Sequence, residues 1–237
     1  MKDVVAPTGV LRVGVVVAPT AGVFFMEVGT DGAPFGVTVD LGAAFAARLG
    51  VPVAYSVFAA SGDCTEAVAT GAVDVGFMPV DAARSAKVAF GTAYYLLEST
   101  YAVSAASGIV DLAGVDRPGV RVIGVAGTTT IRASARSLLR NAPVAIEGVS
   151  AAIVEFLAGR ADAIALSRDS LAQVIPGLPG SRILEGGFQQ TTISIAVPPG
   201  RGEALAEASA FLETAKRDGT VRRALDAVGL MHEAVAP

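Results

Sequence analysis

Gly71-Ala-Val-Asp-Val-Gly-Phe-Met-Pro-Val-Asp-Ala-Ala-Arg84 joins a strand pattern to a lone arginine. Val73–Met78 is an apolar run between Gly71 and Pro79, the pattern of a strand buried on both faces. A turn over Pro79–Ala83 then delivers a lone arginine, Arg84. Working outward, Asp63–Thr70 reads as a short helix stopped by Gly71, and Val51–Phe58 as a strand. Val37–Leu49 places Val39, Leu41, Ala44, Phe45 and Leu49 near helical spacing and ends at Gly50. Leu11–Val17 is a mostly β-branched strand. This βαβαβ rhythm implies parallel strands with helices on both faces.

A second such rhythm follows. Arg121–Ala126 reads as a strand, Thr129–Arg140 as a helix, Val144–Glu147 as a strand, Ser150–Leu157 as a helix and Ala163–Leu166 as a strand, with a further short helix at Leu171–Ile175. Two extended runs, Tyr95–Ala105 and Thr191–Val197, flank this unit, and Gly202–Arg217 and Val221–Val228 are helical by period. The expected fold class is therefore α/β, with two α/β lobes joined by two crossing strands. Lobe one takes residues 1–103 and 194–237, including the C-terminal helices, and lobe two takes residues 104–193. No internal sequence repeat is evident.

Composition narrows the function. The chain has 237 residues, 52% hydrophobic and 17% charged, which excludes disorder. A net charge of −4 without a basic run argues against nucleic acid as a partner. Apolar stretches such as Val13–Ala18 and Ile193–Val197 are far short of the ~20 residues of a spanning helix, so the chain is not expected to cross a membrane. One cysteine, Cys64, and one histidine, His232, leave no internal disulfide and argue against a Cys/His metal site or a Ser-His-Asp triad. No metal or cofactor is expected. Cys64 reads as a small, partly buried hydrophobe, because nothing cationic flanks it in sequence. Met1-Lys2-Asp3 leads straight into a Pro/Gly loop and a strand with no leader peptide visible, so the expectation is either a cytoplasmic protein or one whose leader has been removed.

A series of short motifs in order resembles the family 3 periplasmic solute-binding proteins, the receptors of polar amino acid ABC importers. The markers are Leu11-Arg-Val-Gly14, Gly36-Val-Thr-Val-Asp40, Gly71-Ala-Val-Asp74, Asp81-Ala-Ala-Arg84 with Val88-Ala-Phe90 and Ala93-Tyr-Tyr95, Gly127-Thr-Thr-Thr130, Gly159-Arg-Ala-Asp162 and Ile193-Ser-Ile-Ala-Val197. The resemblance covers essentially the whole chain. It implies a type 2 periplasmic-binding fold with a ligand cleft between the lobes, a small-molecule carboxylate ligand, a membrane permease as partner, and a monomer. It also implies a periplasmic location, with the leader already removed.

Arg84 follows a strand end, where ligands collect in open α/β sheets. A guanidinium there can take a carboxylate through two parallel N–H···O bonds; in the family the matching arginine grips the ligand carboxylate. The plain alternative is a surface arginine paired with Asp81. Thr128 and Thr129 start a helix after Gly127, where backbone N–H groups and the dipole favour an anion and the hydroxyls add donors. The alternative is an ordinary threonine cap, and both can hold together. Thr130 is expected to point inward.

Ser167 departs from the family, whose amino-acid-binding members usually carry an acid there to meet the ligand ammonium. A hydroxyl cannot offset a buried ammonium. Either the ligand lacks an α-amino group, the preferred reading, or Glu98 or Asp169 supplies the acid. Positions near Pro19, Thr20 and Ser61, where the family often has an aromatic pair, hold no aromatic; Phe24 or Phe25 is a replacement ring or plain loop packing. Met78 and Pro79 stand where polar contacts to the ammonium usually come from. Glu98 and Gln190 lie on the crossing strands as ligand contacts or structural acceptors. Asp40 and Asp74 read as braces. Two other functions stay open: a cyclohexadienyl dehydratase-like enzyme with Glu98 as general acid, and a ligand-sensing module of a receptor.

Overall fold

The structure is a computed structural model that describes residues 2–17, 22, 25–231 and 233–237. By contacts the chain divides into two compact units, Met1–Leu96 with Thr192–Pro237, and Leu97–Thr191. The sequence reading placed these boundaries at 103/104 and 193/194. In the structure they fall inside two long strands, because each strand runs unbroken from one unit into the other.

The first unit contains α1 (Lys2–Val5), β1 (Leu11–Val17), β2 (Phe25–Val28), β3 (Pro34–Phe35), α2 (Val37–Leu49), β4 (Val53–Phe58), α3 (Ser61–Ala69), β5 (Val75–Pro79), α4 (Ala82–Ser85) and the start of β6 (Ala89–Val103). The second contains the rest of β6, α5 (Leu112–Val115), β7 (Val122–Val125), α6 (Thr129–Ser137), β8 (Val144–Ile146), α7 (Val149–Leu157), β9 (Ala163–Ser167), α8 (Arg168–Val174), β10 (Arg182–Ile183) and the start of β11 (Gln189–Val197). The chain then returns to the first unit for α9 (Gly202–Arg217) and α10 (Thr220–Ala227). The α/β class and the order of the main elements follow the sequence reading. It missed α1, β2, β3, α4, α5 and β10. All have four residues or fewer, too short for a period to register.

In the first unit β1 pairs in parallel with β2, β4 and β5, and β11 joins β5 antiparallel with Ser194 opposite Met78. The sheet is thus mixed. β1 and β5 place Gly14 opposite Gly76. A Cβ on Gly14 would lie 2.9 Å from Cys64 Sγ, and one on Gly76 2.9 Å from Val68 Cγ2. The two facing glycines therefore let α3 sit directly on the sheet, and that close seat fixes where α3 begins. Burial pushes the Cys64 thiol up to about 12, against the opposing pull of the Arg84 charge. The C-terminal helices belong to this unit, with Phe211 of α9 stacked on Phe45 of α2 at 4.6 Å.

In the second unit β7 runs parallel to β8 and β9, and β6 antiparallel to β9. Strand alternation sorts the core into two layers. Ala102, Ile123, Val125, Ile164 and Leu166 face one, with Phe156 of α7. Tyr101, Val103, Val122, Ala163 and Ala165 face the other. Gly124 again admits a helix: a Cβ there would sit 2.6 Å from Ile131 Cδ1 of α6. α6 stops at Ser137, three residues before the expected end, because Asp116 captures the backbone N–H groups of Leu139, Arg140 and Asn141.

Each unit carries the same clasp. Asp74 Oδ2 accepts from Arg12 N (2.9 Å) and Nε (3.1 Å), and Oδ1 from Nη2 (2.6 Å). Asp162 does the same with Arg121 N (2.8 Å), Nε (3.1 Å) and Nη2 (2.7 Å). A structural repeat is thus present where the sequence showed none, since two residues per unit are too few to register as one. The Asp74 side chain is fully buried, whereas Arg121 is half exposed. Among the described residues no helix is long and apolar enough to cross a membrane.

Asp74→Asn should cost about 2–4 kcal/mol in urea unfolding, as for a buried ion pair that loses one partner, and Asp162→Asn no more than about 1 kcal/mol, as for exposed pairs. Hydrogen bonding from Arg121 holds the Asp162 carboxyl below its ordinary value of 3.8. The Asp162 contribution is therefore complete above that value and fades as pH falls through the lower folded-state value, so the gap between parent and variant should close in acid. Cys64 should resist alkylation at pH 8 in the native protein and react fully in denaturant.

Candidate functional site

In the first unit the site residues gather at the carboxyl ends of β4 and β5. Asp81 caps α4, its Oδ1 accepting from Arg84 N at 2.8 Å. One helical turn then carries the Arg84 side chain back under the sheet end, where it is 4% exposed. Its Nη1 donates to Asp81 Oδ2 (3.3 Å), Nη2 to Ser61 Oγ (2.9 Å) and Nε to Thr65 Oγ1 (3.2 Å). Ser61 and Thr65 are one turn apart on α3, so both reach the guanidinium from one helix face. Thr65 Oγ1 in turn donates to the Ser61 carbonyl (2.9 Å) and lies 3.4 Å from Met78 Sδ.

Arg84 is therefore paired with Asp81, as the plain alternative had it, but it is buried rather than on the surface. Arg84, Ser61 and Met78 come together, with Pro79 buried beside them. Phe24, Pro19, Thr20 and His232 lie outside the described residues. Phe25 opens β2 opposite Val16. Asp74 belongs to the clasp, and burial raises the Asp40 carboxyl above its usual value.

In the second unit Gly127 takes a φ of 69° and Thr128 caps α6. The Thr128 hydroxyl accepts from Ile131 N (3.2 Å) and donates to the Val125 carbonyl (2.7 Å). In the structure the single proton of this hydroxyl goes to Val125. What α6 offers an anion is its backbone N–H groups and its dipole end. Thr129 is buried, and Thr130 points inward with its Oγ1 3.1 Å from Ser99 Oγ.

Ser99 stands opposite Ser167 in the β6–β9 ladder, which links the α6 start to the end of β9. Ser167 is buried and its Oγ donates to Ser170 Oγ at 2.8 Å. Glu98 is ion-paired with Arg168, whose Nη2 also donates to the carbonyls of Gly186 (2.6 Å) and Leu184 (3.2 Å). Gly187 makes this clasp possible, since a Cβ there would meet Glu98 Cγ at 2.6 Å. Asp169 is buried, and Gln190 is exposed on β11. Among the described residues no group of three or more His, Cys, Asp or Glu could hold a metal ion.

The residues that sequence reasoning missed are Thr65, Arg168 and Ser170. Ser61 and Thr65 at i and i+4 were a readable signal for a shared helix face. The Arg168–Glu98 pair spans 70 residues and had none.

Among solved structures, the chain is similar to a mutant of ArgBP from T. maritima, at 24% identity and a TM-score of 0.81, covering 96% of this chain and 98% of that one. It is also similar to the ancestral amino acid-binding protein AncCDT-1, a precursor of cyclohexadienyl dehydratase, at 24% identity and a TM-score of 0.83, with 95% and 98% covered. A third is the amino acid ABC transporter substrate-binding protein AbpA from Streptococcus pneumoniae bound to L-arginine, at 18% identity and a TM-score of 0.82, with 98% and 100% covered. No curated protein matches the chain. The model of one family matches residues 13–227, and the chain belongs to that family, the bacterial extracellular solute-binding proteins, family 3.

Proposed function

We propose that this protein is the extracytoplasmic receptor of an ABC importer and binds one small carboxylate-bearing solute, an organic acid or an amino acid, without transforming it. The observation that carries the reading is the buried Arg84. An isolated guanidinium does not stay buried without partners, and a fork held by Asp81, Ser61 and Thr65 is set in advance for a planar anion. The start of α6, behind Thr128 and Thr129, supplies the second grip. Closure of the two units on the ligand is the working motion, and a membrane permease is the partner that reads it. The pairing of Glu98 with Arg168 supports binding over the enzymatic alternative, whose general acid would have been Glu98.

The test is a thermal-shift screen of amino acids and organic carboxylates, followed by calorimetry on the best ligand. A ligand at a thousand times its Kd stabilises by about 4 kcal/mol, which appears as a rise of several degrees in Tm. Arg84→Lys keeps the charge and loses the fork, so it should bind at least about tenfold more weakly, the equivalent of about 1.4 kcal/mol. Unchanged affinity in this variant refutes the role of Arg84.

A further inference from the structure

We infer that Asp81 sets the charge preference of the Arg84 subsite, a reading that rests on the role proposed for Arg84. Asp81 binds Arg84 twice, at its backbone N–H through Oδ1 (2.8 Å) and at Nη1 through Oδ2 (3.3 Å). Its side chain is 11% exposed and that of Arg84 4%, so water screens the pair weakly. One cation and one carboxylate, both anchored in one short turn, make a pair with no net charge.

A hydroxyl at position 81 would cap α4 as well. The carboxylate does something a hydroxyl does not: it opposes a second carboxylate. An incoming anion gains the attraction of Arg84 and meets the repulsion of Asp81 a few ångströms beyond it, and in a weakly screened setting the second largely offsets the first. Ser61 and Thr65, which also accept from the guanidinium, are neutral and add no compensating charge. The subsite therefore orients a carboxylate through the fork while giving little reward for net negative charge. Asp81 is a positioning residue for Arg84 and a filter against simple monoanions. For a solute that brings its own positive charge, the attraction of that charge to Asp81 offsets the repulsion of its carboxylate. This moves the choice left open at Ser167 away from a simple organic acid.

The experiment uses two probes of the carboxylate subsite, acetate with net charge −1 and glycine with net charge zero. Each is titrated by NMR into the ¹⁵N-labelled full chain at constant ionic strength, and the shift of the Arg84 Nε–H signal is followed. Asp81→Asn keeps an acceptor for Arg84 N and removes the charge; Asp81→Ser is a second capping variant, and thermal melts establish that each is folded. Acetate should bind the folded variants about tenfold more tightly than the parent, while glycine changes less than about twofold. Acetate affinity that is unchanged or weaker in both variants overturns the role of Asp81 and leaves Arg84 standing. Absence of any Arg84 response to either probe, in parent and variants alike, overturns the carboxylate role of Arg84 itself and the present inference with it.

Discussion

A charged group removed from water has to be met by partners, and the first unit is arranged around that constraint at Arg84. A carboxylate from its own turn and two hydroxyls from α3 are among the neighbours that meet it. The hydroxyls arrive because α3 lies close on the sheet, and α3 lies close because Gly14 and Gly76 face one another across β1 and β5. Absence of side chains at two strand positions thus helps bring α3 to the arginine of α4. The sulfur of Cys64 fills the space those glycines leave, which is a packing role and not a chemical one.

The second unit solves a related problem by similar means. Gly124 lets Ile131 press onto the sheet and so fixes the start of α6. Thr128 ties that start to the end of β7 through Val125, and Ser99 ties Thr130 to β6 beside Ser167. The Arg168–Glu98 pair fastens α8 to β6 and to the carbonyls of Leu184 and Gly186. Each unit also locks an arginine at a strand start, Arg12 in β1 and Arg121 just before β7, to the aspartate before a neighbouring strand. These fastenings lie within each unit, and β6 and β11 continue from one unit into the other.

Much of this was legible in the sequence. Apolar runs of strand length, helices ended by Gly50 and Gly71, and the alternating order gave both units, because burial on two faces leaves a strong pattern. Arg84 and the Gly127–Thr130 turn stood out as candidate sites because charge, glycine and hydroxyls sit at element ends. The partners were harder. Thr65 was visible only by its spacing from Ser61, and Arg168 finds Glu98 across 70 residues with no local mark. Burial of Arg84 was illegible for a similar reason, since it depends on glycines in two other strands. For the Thr128 hydroxyl, the cap's acceptor role is written in the sequence and the destination of its proton is not.

The central claim is that Arg84 holds the carboxylate of a solute. Native mass spectrometry of the protein purified from its own host tests it most directly, because it asks which molecule the protein retains. The account predicts one small molecule bearing a carboxylate, present in the parent and lost from Arg84→Ala. Retention of the same mass by that variant, or a retained molecule without an acidic group, would contradict it.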